Sequence, residues 1–224
     1  PVCRSAFDDA DTACALAGCT TLPSKWIFPT GAPSDAEPDE DGLGIAGAVQ
    51  AVLAANTAFY RFFTQLGISP DAVAGVGVGE INAFECAGVF GFDSRLARLQ
   101  ALRDGYRLLT AVADHPKTPR CVCLSSDGLP LEALRACLAP HGDQAVIARE
   151  HSVNLFGLSV RPAAAEAVMR DLKEAGATVR VLPLVQPYHT PWMEPVKPEL
   201  AAFFGKLIRQ SATVPVYSCM LAAP

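Results

Sequence analysis

No apolar run of about eighteen residues occurs in this 224-residue chain, so no segment is suited to a membrane-spanning helix. No Lys or Arg cluster stands out against a net charge of −5, and neither nucleic acid nor a membrane surface is an expected partner. That deficit does not exclude an anionic ligand, which a single Arg or a helix N-terminus can hold. CxxC pairs are missing among Cys3, Cys14, Cys19, Cys86, Cys121, Cys123, Cys137 and Cys219. Without four ligands at suitable spacing, no zinc site or other metal site is expected. A disulfide framework is not expected in a chain with this much core, and the compartment reads as reducing and cytoplasmic. The chain lacks an initiator Met and a basic-then-apolar leader, and it reads as a piece of something longer.

Half of the chain is hydrophobic and 18% is charged, a balance that fits an ordered α/β protein. Residues 4–17 carry apolar residues at helical spacing. A Pro- and Asp-rich stretch, densest at 32–41, reads as an exposed loop. The pattern at 45–66 predicts a long helix with too many apolar residues for one face, hence burial on more than one side. A short strand at 72–76 runs into a glycine turn, a helix at about 79–89 and a second helix at 93–112. Beyond about 120 the order is strand (121–125), helix (131–139), strands (145–148 and 155–160), helix (163–175) and strand (179–184). That order is the ferredoxin-like arrangement. It is placed at 118–184, inserted in a larger α/β unit formed by 1–117 and 185–224. A helix at 197–210 and a strand at 214–218 close the chain.

Strand, tight glycine turn and helix together make the geometry of a nucleophile elbow. In its serine form, G-x-S-x-G, the hydroxyl sits on a sharp turn and the next backbone N–H faces a developing oxyanion. Here the five residues are Gly75-Val76-Gly77-Val78-Gly79, with both flanking glycines present and Gly at the centre. On the turn alone, a phosphate cradle and a purely structural turn are both open. A dinucleotide fingerprint needs G-x-G-x-x-G and a P-loop needs G-K-[ST]. Neither is completed here, and no cofactor is expected.

The wider context is more specific. The stretch from Gly75 through Glu80 to Ala87-Gly88 resembles the G-H-S-x-G-E-[YF]-x-A…A-G segment of malonyl-CoA:acyl-carrier-protein transacylases. That family includes the acyltransferase domains of polyketide and fatty acid synthases. Gln186-Pro-Tyr-His-Thr-Pro-Trp-Met-Glu-Pro195 is similar to its [AF]-F-H-S-P-x-M-x-P segment, and Val214-Pro-Val-Tyr-Ser-Cys219 to its V-P-V-x-S-N strand. The N-terminal Pro-Val-Cys-Arg-Ser-Ala-Phe resembles P-V-F-R-x-A-L. The resemblance implies an α/β-hydrolase-like core of parallel strands and helices with an inserted ferredoxin-like subdomain. It also implies ping-pong transfer of an acyl group from CoA, through serine, to the arm of an acyl carrier protein. The implied partners are an acyl carrier protein, neighbouring synthase domains such as a ketosynthase, and acyl-CoA.

Carried over residue by residue, His189 stands at the catalytic base and Gly77 at the vacant nucleophile. Val78 would supply the oxyanion N–H, and Val76 replaces a histidine. Ungapped counting puts Leu102 at the carboxylate-binding arginine, with Arg103 adjacent but turned by about 100° of helix. Arg103, Tyr188 and Gln186 are the substrate-binding candidates. Cys219 stands where asparagine is expected, and the family's G-Q-G strand has no counterpart in the chain. Together these departures favour a degenerate, non-catalytic acyltransferase domain with a structural or carrier-docking role. The alternatives are active transfer by an unusual mechanism and a patatin-like hydrolase, the last fitting the histidine segment less well. Cys86 reads as a packing residue. Ser125, Ser126, His151, Ser152, His115 and His141 read as turn or loop residues.

Overall fold

The computed structural model describes residues 2–19, 22–28 and 45–219, so the segment expected to loop at 32–41 lies outside the described residues. The chain forms two compact units. One comprises Pro1–Ala111 with Leu200–Pro224, the other Val112–Glu199.

The first unit opens with α1 (Val2–Ala17), in which Ala6, Ala10 and Ala13 recur at helical spacing beside Phe7 and Cys14. Their small side chains let α1 lie close to α3 (Ile45–Gln65), where Ala54 and Ala58 complete one cluster. The short α2 (Pro23–Ile27) carries Pro in its first turn, where a missing N–H costs nothing. As expected, α3 is buried on more than one side: Ala54 and Ala58 pack against α1, and Leu53 joins a second cluster with Ile81, Leu99 and Tyr106, while the bulky Val52, Phe59, Phe62 and Phe63 are left on the exposed side. β1 (Val73–Gly75) turns at once into α4 (Val78–Cys86), followed by α5 (Arg95–Ala113). After α8 (Lys197–Gly205), β6 (Val216–Ser218) pairs in parallel with β1, setting Gly75 opposite Ser218. Buried Asp9 of α1 accepts from Arg61 of α3 and from Arg95 and Arg98 of α5, so one carboxylate joins three helices.

The second unit contains β2 (Val122–Asp127), α6 (Leu131–Leu138), β3 (Ala145–Ser152), β4 (Leu155–Val160), α7 (Ala165–Glu174) and β5 (Thr178–Val181). The strands make one antiparallel sheet in the order β3-β4-β2-β5. This is the ferredoxin-like order, and its elements follow one another as the sequence predicts. Leu124, Phe156 and Leu158 from the sheet meet Leu134 of α6 and Val168 and Leu172 of α7 in a closed core. Three expectations change. β3 runs on to Ser152, so His151 and Ser152 belong to a strand, carried there by register shifts at Ile147/Arg149 and Glu150/Ser152. Ser125 and Ser126 lie within β2 and are paired on both sides, with Ser126 buried. His141 is not a surface loop residue: its Nε2 lies 2.9 Å from Asp171 and its side chain is 12% exposed. Among the described residues no helix is long and apolar enough to cross a membrane.

Candidate functional site

The candidate residues divide between the two units: Gly77, Val78 and Arg103 in the first, Gln186, Tyr188 and His189 in the second. The elbow is built by β1, α4 and β6. Gly77 caps α4 with φ 55° and ψ −115°, a left-handed backbone that L side chains rarely adopt. The backbone closes on itself there, with the Gly79 N–H donating to Val76 O at 3.0 Å and the Glu80 N–H to Gly77 O at 3.1 Å. Gly75 makes the turn possible, because a Cβ on it would lie 2.3 Å from the carbonyl carbon of Gly79. Gly79 has open space where its Cβ would be. The Ser218 hydroxyl donates to Glu80 at 2.8 Å and ties β6 to the first turn of α4.

Val78 is the first residue of α4, and its N–H has no intrahelical acceptor, as at any helix start. An oxyanion contact needs such a donor. At the centre of the turn there is no side chain at all. Cys86, nine positions on (86 − 77), does not substitute for the hydroxyl. Burial, reinforced by Glu85, pushes its thiol up to about 11, so it stays protonated at neutral pH.

Leu102 lines an apolar cavity of about 60 Å³ in the first unit, with Leu53, Ile81, Tyr106, Phe203 and Leu207 around it. Arg98 also lines it, paired with Glu85 at 2.9 Å. Arg103 donates to its neighbour Asp104 at 2.8 Å. Arg107 donates to the backbone of Leu16.

In the second unit, His189 sits in a tight turn with φ 64°, among the described residues the one non-glycine with positive φ. Three bonds hold the turn. The buried Thr190 hydroxyl donates to Pro187 O at 2.6 Å and accepts from the Trp192 N–H at 3.3 Å, while the Tyr188 N–H donates to Gln186 O. Trp192 carries the Arg161 guanidinium over its ring at 4.3 Å. Burial pushes the Tyr188 phenol up to about 12, with Cys123 and Asp114 adding to it, so Tyr188 is a neutral hydroxyl. The Gln186 carbonyl accepts from the Cys123 thiol. His189 is exposed, and Nη2 of Arg149 meets its Nε2.

Arg149 is the residue that sequence reasoning misses. It stands in β3 opposite Gly157 of β4, and a Cβ on Gly157 would lie 3.5 Å from Arg149 Cβ. No motif marks it. Its one sequence signal is a charge directly after the apolar run 145–148. Among the described residues no cluster of three His, Cys, Asp or Glu side chains is placed to hold a metal.

No family model matches the chain. The erythronolide synthase EryA3 of Saccharopolyspora erythraea is 28% identical over 188 residues, which is 82% of this chain but 6% of that synthase. The acyltransferase domain from the second module of the salinomycin polyketide synthase superposes with a TM-score of 0.71 at 28% identity, covering 100% of this chain and 48% of that one. An acyl-carrier-protein S-malonyltransferase from Bartonella henselae gives a TM-score of 0.78 at 21% identity, over 100% of this chain and 68% of its own, a likeness of fold. The chain thus spans a small fraction of the curated synthase and about half of the salinomycin domain.

Proposed function

We propose, from the premise that this chain belongs to the acyltransferase family of polyketide synthases and acyl-carrier-protein malonyltransferases, that it is a non-catalytic acyltransferase domain. The observation that carries the reading is Gly77. The turn at Gly77 has a left-handed backbone at the start of α4 and offers no side chain there, which supports the reading. Acyl transfer through a covalent intermediate needs an oxygen or sulfur nucleophile at that point, activated by a base. Loss of one member of such a pair typically costs about 10⁴–10⁶ in rate. Glycine fits the turn without strain, so the geometry survives where the chemistry does not.

In this reading the domain, in a cytoplasmic synthase, holds neighbouring domains such as a ketosynthase in place and docks an acyl carrier protein. Val78, Arg103, Tyr188, Gln186 and His189 are the remnants of an acyl-CoA site. The test is intact-mass analysis after incubation with malonyl-CoA and acetyl-CoA. No adduct is expected on the native chain; a stable acyl adduct would overturn the reading. A second reading, active transfer by His189 with water or directly between thioesters, draws on the retained His189 turn. Carrier acylation without any protein adduct would favour it.

A further inference from the structure

The contact between Arg149 and His189 has a chemical consequence for any attempt to revive the site. A guanidinium only donates hydrogen bonds, so the His189 Nε2 that faces it is the acceptor. The neutral ring then carries its proton on Nδ1. A ring nitrogen has one lone pair, and here an N–H of Arg149 holds it. Acyl transfer through a serine makes the Oγ–acyl bond as the acyl–sulfur bond breaks. The hydroxyl proton passes to the base and then to the leaving thiolate of CoA. A base whose lone pair is held cannot take that proton, and a proton arriving there would set two cations side by side.

Arg149 is held where it is. Its strand position opposite Gly157 leaves room for the side chain. It is half-buried, burial alone lowers its pKa, and among the described residues no carboxylate forms an ion pair with it. A half-buried guanidinium without an acid favours the acceptor it has.

We propose that Arg149 is a second lesion of the site: it blocks Nε2 of His189, so that restoring serine at position 77 alone does not restore acyl transfer. This rests on reading His189 as the retained base of a site without a nucleophile. The test compares the native chain, Gly77→Ser, Arg149→Met and the double variant for acyl loading from malonyl-CoA and acetyl-CoA by intact mass. The expected pattern is no loading by the native chain or Arg149→Met, little by Gly77→Ser, and about 100-fold faster loading by the double variant, the usual scale of general-base catalysis. Equal loading by Gly77→Ser and the double variant sinks the blocking role and leaves the non-catalytic reading standing. Loading by the native chain sinks the non-catalytic reading instead.

Nitrogen-15 NMR of His189 in the native chain decides the matter without turnover. A single tautomer protonated at Nδ1 is expected, giving way to a tautomer mixture in Arg149→Met. A native neutral ring protonated at Nε2, or a ring unchanged by Arg149→Met, overturns the proposal.

Discussion

The three glycines of the elbow look interchangeable as letters, and alanine at each should separate them. At Gly75 the added Cβ would sit 2.3 Å from Gly79 C and 2.4 Å from Glu80 N, both backbone atoms. No rotamer relieves that overlap, so β1 and α4 must move apart by about 1 Å, with a cost of about 4 kcal/mol or more, in the tail reserved for specific structural faults. At Gly77 the fault is conformational. With φ at 55°, a side chain costs about 1–2 kcal/mol, partly offset by the stiffer unfolded chain. At Gly79, near the start of α4, nothing lies within 4 Å, and alanine should gain about 0.5–1 kcal/mol from helix propensity. For a domain of this size each kcal/mol moves Tm by about 2–4 °C. Gly75→Ala should therefore melt at least about 8 °C below native, Gly77→Ala a few degrees below, and Gly79→Ala slightly above. Scanning calorimetry reads all three. A Gly75→Ala protein that melts with the native chain would refute the close approach on which the elbow rests.

Asp9→Ala should cost about 1–2 kcal/mol and lower Tm by about 2–8 °C, because it takes from the nearly buried Arg98 one of its two carboxylate partners and leaves it Glu85, while the mostly exposed Arg95 adds little; an unchanged melt would show the hub to be incidental. Cys86 should alkylate about 100-fold more slowly at pH 8 than a thiol of ordinary pKa, from its elevation by burial, and mass mapping that finds it as fast as exposed Cys219 would contradict this. For Asp171, burial works upward, but hydrogen bonds from His141 and Arg170 outweigh it and hold the carboxyl below its ordinary range. Its contribution to the second unit is then complete above about pH 4 and is lost as pH falls through the depressed folded value. Asp171→Asn should remove that part of the acid limb, and an unaltered acid titration would count against it. Thr190→Val removes the two hydroxyl bonds of the His189 turn and should cost about 1–2 kcal/mol, with faster amide exchange at Tyr188 and His189.

Periodicity carried most of the fold. The ferredoxin-like unit was readable because its strands are short and two of them, β2 and β4, lead into helices with a sharp apolar stripe, as in α7 with Val168 and Leu172 inward. The elbow was readable because only glycine tolerates the approach at Gly75, and glycine adopts the φ of Gly77 at little cost. What sequence could not give were pairings set by distant strands. Arg149 meets His189 across 40 positions through a sheet register that contains bulges, and His141 finds Asp171 across 30. The burial of α3 on more than one side was legible in its apolar count, but the exposure of Val52, Phe59, Phe62 and Phe63 was not, because that count does not say which side a neighbouring helix takes.

The left-handed backbone at His189 acquires a further meaning beside that at Gly77. Each compact unit holds one candidate residue at positive φ, His189 at 64° and Gly77 at 55°. Gly77 rests there freely, while His189 bears an L side chain at a cost of about 1 kcal/mol. A side chain added at 77 runs uphill in stability, so the backbone itself weighs against any residue larger than glycine at that turn.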